Sequence, residues 1–347
     1  MKILSISIIS WLMLVGSCSN ERYTTKISNL KKGILVTDSL EISTYSKTIT
    51  IDELKTHLYE YASKEFNGRA AGSEGQRKAA KFIKDYYISQ GIASPISDST
   101  YFQSIPSSYF NETIKGSENV LAYIKGSEKP EEVIVISAHL DHEGAKDGKI
   151  YYGADDDGSG TVAVMEIAQA FKIASDNGST PKRSILFLHV TAEEIGLEGS
   201  RYYTENPVFP LENTICNLNI DMIGRVDQVH ENNKDYIYLI GSDRLSKELH
   251  HISERVNESF TNLELDYTFN AEDDRNRFYY RSDHYNFAKN NIPVIFYFNG
   301  VHEDYHQPTD TPDKITYEQL QKRAQLIFAT AWHVANMETR LVVDNKD

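Results

Sequence analysis

The sequence predicts an α/β protein whose central sheet is mixed but mostly parallel, with helices on both faces. Two observations predict it. From residue 51 onwards, runs with strand character alternate with segments of helical spacing, the pattern of strand–helix–strand units. Two of those runs contain Val133-Ile134-Val135-Ile136 and Ile185-Leu186-Phe187-Leu188. They are apolar without alternation, as strands covered on both sides are.

Taken in order, residues 51–63 and 75–90 place apolar side chains at helical intervals, joined by a turn around Gly68 and Gly72. Strands are predicted at 119–125 and 132–139, then a helix over 159–174 that opens after Gly158-Ser159-Gly160. A buried strand follows at 184–191, a helix at 197–205, strands at 215–222 and 236–241, and a helix at 243–259. The last elements are a helix at 282–290, a strand at 294–298 and a long helix at 317–338. No long Pro- or Ser-rich linker interrupts the chain after residue 48, so residues 48–347 are expected to form one domain.

The N-terminus has a different character. Met1-Lys2 is positive, the next thirteen residues are largely apolar, and small residues precede Cys18. This is the layout of an export signal over residues 1–17, too short for a stable membrane-spanning helix. Val15-Gly16-Ser17-Cys18 resembles a bacterial lipobox, in which the Cys is acylated. The expectation is an exported lipoprotein of the bacterial cell envelope, held to a membrane through Cys18, with the polar stretch 18–47 as a tether. Cys216 is then the one remaining thiol, so no internal disulfide is expected; its apolar run suggests an inert buried thiol.

With 347 residues, 25% charged and 40% hydrophobic, the chain has ordinary globular composition and enough length for a large core. Its formal net charge of −14 offers no basic stripe for phosphates, which argues against nucleic acid as a partner. No obligate protein partner is expected.

Five acidic or imidazole residues, His139, Asp156, Glu194, Asp221 and His306, fall where predicted strands give way to loops. A parallel sheet gathers its strand ends on one edge, and two His with three carboxylates suit two zinc ions sharing a carboxylate. Chemistry alone leaves some choices open. His139-Leu140-Asp141-His142 holds two imidazoles, and Asp141 is a possible acceptor for the second ring nitrogen of His139. The triplet Asp155-Asp156-Asp157 repels itself and invites a cation, or else caps the following helix. In Glu193-Glu194 one carboxylate suits a metal and the other a general base. The final loop offers His302, Glu303 and Asp304 besides His306.

Together these segments, from Asn67-Gly68-Arg69 through the last helix, resemble the dizinc exopeptidase family that contains bacterial leucyl aminopeptidases, with glutaminyl cyclases and glutamate carboxypeptidases as relatives. The resemblance implies a zinc-dependent exopeptidase fold, peptide substrates and two Zn2+. It implies that His139 and Asp221 hold one ion, Glu194 and His306 the other, and Asp156 both. Glu193 matches the general base, Asp141 the partner of His139, and the 156–157 peptide is expected to be cis. The context Tyr305-His306-Gln307-Pro308-Thr309-Asp310-Thr311 selects His306 over His302. Tyr279, in Phe278-Tyr279-Tyr280-Arg281-Ser282-Asp283-His284, falls where some members place a phenol that polarises the scissile carbonyl, with Tyr280 as its neighbouring alternative.

The implied reaction is hydrolysis of an N-terminal peptide bond. Competing readings are a glutaminyl cyclase, a dipeptidase or carboxypeptidase, and a non-catalytic binding module on the same fold. The intact pair of His139 and Asp221 argues against the cyclase and the full residue set against the binding module. Arg281 leaves carboxylate recognition open.

Overall fold

The computed structural model describes residues 23–97 and 100–344. The expected signal segment, including Cys18, lies outside the described residues. The strands are β1 (Phe102–Ile105), β2 (Ser117–Ile124), β3 (Lys129–His139), β4 (Ala145–Lys146), β5 (Lys149–Ile150), β6 (Arg183–Val190), β7 (Thr214–Ile220), β8 (Tyr236–Ile240), β9 (Glu264–Asp266) and β10 (Val294–Phe298). Eight form one sheet in the order β1-β2-β6-β3-β7-β10-β8-β9, and β4 and β5 form a separate small hairpin. Its centre, β6-β3-β7-β10, is parallel throughout. The β1–β2, β2–β6 and β8–β10 pairs are antiparallel, so the sheet is mixed as expected.

The helices are α1 (Tyr23–Gly33), α2 (Ser39–Tyr45), α3 (Ile51–Tyr61), α4 (Glu74–Ser89), α5 (Gly160–Asp176), α6 (Glu198–Glu205), α7 (Lys247–Phe260), α8 (His284–Ala288) and α9 (Tyr317–Asn336). Side-chain oxygens set several starts: Thr50, Ser73 and Ser246 accept from the backbone N–H three residues on, opening α3, α4 and α7. The Ser246 cap explains why α7 begins after 243–245, which the periodicity had included.

Alternate residues of the central strands feed two cores. Ile134, Ile136, Ile185 and Phe187 pack under α3, α4, α5, α7 and α9. Val133, Val135, Leu186 and Leu188 face α6, α8 and the turn around Phe278. All eight residues of β6 are buried, which explains a run without alternation; each such aliphatic or aromatic side chain contributes about 1.5–3 kcal/mol on burial. The stretch expected as a tether is helical over much of its described length. Ile34, Ile42 and Tyr45 are buried in the first core, so the packed unit starts earlier than residue 48.

Candidate metal centre

His139 is the last residue of β3, Asp221 follows β7 directly, and Glu194 stands four residues past β6. His306 lies in the loop after β10. Asp156 differs from the expectation: no strand of the large sheet ends directly before it, and it sits in an irregular turn between the β4–β5 hairpin and α5. The structure nevertheless brings all five together. His139 Nε2 is 3.1 Å from Asp156 Oδ1 and 3.7 Å from Asp221 Oδ1. His306 Nε2 is 3.0 Å from Asp156 Oδ2 and 3.2 Å from Glu194 Oε2. Asp156 thus turns one oxygen to each group.

Hydrogen bonds separate the members of the acidic triplet. Asp155 accepts from Gly224 N–H (2.7 Å) and Ser159 Oγ (2.9 Å) and faces His302 Nε2 at 3.0 Å. Asp157 accepts from the backbone N–H of His139, Gly160 and Met222. Only Asp156 is left for the cluster, and the 156–157 peptide is cis. The contact with Asp155 also takes His302 away, leaving His306 as the imidazole of the last loop that enters. Asp310 Oδ2 accepts from the N–H groups of Asp155 (2.9 Å) and Asp156 (3.1 Å), tying that loop to the triplet.

Arg69 braces the same region from beneath. It is buried, and its guanidinium donates to the carbonyls of Leu140 (3.1 Å), Tyr152 (2.7 Å) and Gly153 (2.9 Å). Leu140 follows His139 and Gly153 opens the Asp156 turn. Gly153 itself has φ 55°, and a Cβ there would meet Asp156 O at 2.3 Å and the His142 ring at 2.5 Å.

Two sequence assignments change. The carboxylate of Asp141 stands 3.8 Å from His139 Nδ1, whereas its backbone carbonyl stands at 3.1 Å and is the nearer acceptor. The carboxylate instead accepts the Glu193 backbone N–H at 3.1 Å and positions that residue. Tyr279 does not face the cluster. Its ring packs against Gly241 and His284 and under the Arg244 guanidinium, 3.9 Å from the ring centroid, and lines a separate cavity with Arg244 and Tyr285. The phenol in the cleft is Tyr305, stacked on His306 with ring centroids 3.9 Å apart.

Glu193 lines that cleft beside Asp156 and Asp221, with Met222, Phe278 and Phe296 as an apolar wall. Burial pushes its carboxyl well above the ordinary range; His139 opposes the shift and Asp221, Glu194 and Asp283 add to it. Burial likewise raises Asp141 to about 6 and Asp283 to about 7. Asp156 goes the other way: burial is outweighed by the imidazoles of His139, His306 and His142 beside it. Ser282, given no role of its own from sequence, joins Asp221 to the sheet, donating to Asp221 Oδ2 at 2.6 Å and accepting from Asn219 at 2.9 Å. His142 Nδ1 stands 2.8 Å from Glu194 Oε1, so the second imidazole of the His139 segment supports the other group.

These residues fit metal ions. His139 Nε2 and Asp156 Oδ2 are buried and make no hydrogen bond. The separations of 3.0–3.7 Å within each group are those of donors sharing one ion at bonds of about 2.0–2.2 Å. Nitrogen with carboxylate oxygen is a donor set suited to zinc.

A mixed α/β sheet with two histidine–carboxylate groups joined by one aspartate at its carboxyl edge defines a metallohydrolase type of protein. The chain belongs to Peptidase family M28, whose model matches residues 119–331. It is 31% identical over 194 residues to a probable zinc metalloprotease of Pyrenophora teres f. teres, covering 53% of this chain and 38% of that protein. A match to a probable glutamate carboxypeptidase of Arabidopsis thaliana, 34% identical over 116 residues, covers 33% of this chain and 16% of that protein. The chain therefore spans well under half the length of these curated relatives. Among solved structures, the Legionella pneumophila LapA aminopeptidase superposes with TM-score 0.67 at 21% identity, covering 87% of this chain and 76% of that one. Porphyromonas gingivalis glutaminyl cyclase superposes with TM-score 0.65 at 18% identity, covering 81% and 97%. At these identities the likeness is one of fold.

Proposed function

We propose that the protein is a zinc-dependent aminopeptidase that hydrolyses N-terminal peptide bonds. In this reading His139 and Asp221 hold one zinc ion, Glu194 and His306 a second, and Asp156 bridges them. The observation that carries it is Asp156, whose two oxygens each meet a different imidazole, 3.1 and 3.0 Å away. Zinc held there would supply a Lewis acid that makes water easier to deprotonate.

The chain's own groups account for the remaining steps. Glu193 takes the proton of the attacking water and returns it to the leaving amine, and its raised proton affinity suits both halves of that task. Asp141 holds Glu193 in place through its backbone. Tyr305 presents a phenol at the cleft for the developing oxyanion. The concentration of carboxylates favours a substrate's free α-amine over a blocked one.

The test combines metal analysis with a substrate panel. Purified protein is expected to hold close to two zinc ions per chain and to lose aminoacyl-substrate hydrolysis to a chelator. Glu193→Gln should keep the metal and lose at least about a hundredfold in turnover; near-full activity in that variant refutes the base assignment. Cleavage of N-blocked peptides at comparable rates refutes the aminopeptidase reading.

Export and acylation at Cys18 are part of the same proposal and rest on the sequence of residues 1–18. Incorporation of labelled fatty acid that persists in Cys18→Ala would refute them.

A further inference from the structure

Arg281 stands out in the cleft as a cation to which no salt bridge falls among the described residues. The chain carries 50 acidic and 36 basic residues, and Arg183, Arg201 and Arg225 each pair with a carboxylate. Arg281 has no carboxylate partner among the described residues, although it lines the same cleft as Asp156, Glu193 and Asp221. It is the one lysine or arginine among the described residues lining that cleft.

Its placement is fixed. The Arg281 N–H donates to Phe278 O at 3.0 Å, closing a short turn, and the next residue, Ser282, bonds to Asp221. The guanidinium rests on the Phe278 ring, 4.9 Å from its centroid, with the residue exposed to solvent. A stem laid on an aromatic face loses little freedom on binding, and the planar fork matches a carboxylate through two parallel hydrogen bonds. The acidic end of the cleft attracts an amine and repels a carboxylate. A cation at the apolar wall does the opposite. A short peptide carrying both charges therefore has one favoured direction, with its amine toward the acids and its carboxylate toward Arg281.

We propose that Arg281 selects substrates carrying a carboxylate on the leaving side of the scissile bond, supplied by the free C-terminus of a dipeptide or by an acidic side chain. The proposal rests on the aminopeptidase reading for the direction of the bond cleaved. In the zinc-loaded enzyme, kcat/KM is compared for Leu-Ala against its C-terminal amide, and for Leu-Glu amide against Leu-Gln amide. At least one acid is expected to be preferred about tenfold or more over its neutral counterpart, and the pair that shows it identifies the source of the carboxylate. Arg281→Met should reduce that ratio to near one, and Arg281→Lys should restore part of it. Equal ratios in wild type and Arg281→Met overturn the proposal.

Calorimetric binding of the same four ligands to zinc-loaded Glu193→Gln, with and without Arg281→Met, separates the two readings. An acid preference in binding that disappears with Arg281→Met supports the carboxylate role even if no turnover is seen, in which case only the aminopeptidase reading fails. Equal binding of acid and amide overturns the Arg281 role whatever the turnover.

Discussion

Replacing Arg69 by Met tests whether the donor groups are held by the fold or by the metal. The change keeps an unbranched apolar stem and removes a guanidinium that donates to Leu140, Tyr152 and Gly153 and, at 3.5 Å, to Tyr61. The three shorter hydrogen bonds from this charged donor, at about 1.5–3 kcal/mol each, set the scale of the loss. Two acceptors keep a second donor, Leu140 O from the Tyr61 hydroxyl at 2.7 Å and Gly153 O from Gly158 N–H at 3.2 Å. Tyr152 O and the more distant Tyr61 O lose the guanidinium as donor, and the cost of desolvating it disappears. A net destabilisation of about 3 kcal/mol is therefore expected. Urea unfolding of the chelator-treated protein measures it. Because the carbonyls belong to the segments that place His139 and Asp156, zinc affinity by chelator competition should also fall, by about tenfold. A loss under about 1 kcal/mol with unchanged zinc affinity would show that these segments find their positions without the Arg69 brace.

Tyr305→Phe should lower kcat by about a hundredfold, as expected for loss of an oxyanion donor, whereas Tyr279→Phe should stay within about threefold; the reverse order in steady-state assays would return the role to Tyr279. Glu166 is fully buried on α5, and burial, with Glu53 adding, raises its carboxyl from 4.5 to about 8. The folded protein then keeps a proton that the unfolded chain releases, so stability is full below pH 4.5 and declines as pH rises toward 8, by up to about 1.4 kcal/mol per unit. Glu166→Gln should flatten the urea midpoint over that window, and parallel curves for the two proteins would refute the shift.

The central strands and most helices were legible because a buried strand or an amphipathic helix leaves a periodic record in sequence. The edge strands β1 and β9 were not, being short and only partly buried. Nor was the packing of α2, where Ile42 and Tyr45 are too few to make a pattern. The five donor residues could be named from their motifs, but the choice within each motif depended on contacts far along the chain. Asp155 is occupied by Gly224 and His302, and Asp157 by Met222; no local spacing reports either. Tyr279 and Tyr305 differ only in the direction each ring takes from its loop.

The position of β10 in the sheet has a consequence for how the protein is made. It lies between β7 and β8, which precede it in the chain, and the loop after it delivers both His306 and the Asp310 clamp on the Asp156 turn. During synthesis, residues through β8 can emerge with a gap in the sheet and only His139, Asp156, Glu194 and Asp221 present. The gap closes only when residues 294–310 arrive. Under the proposed assignment the group that uses His306 is completed only after the last strand has been threaded into place, and a chain released before residue 310 lacks the Asp310 clamp on the Asp156 turn. Loading of that second group would then report a finished sheet.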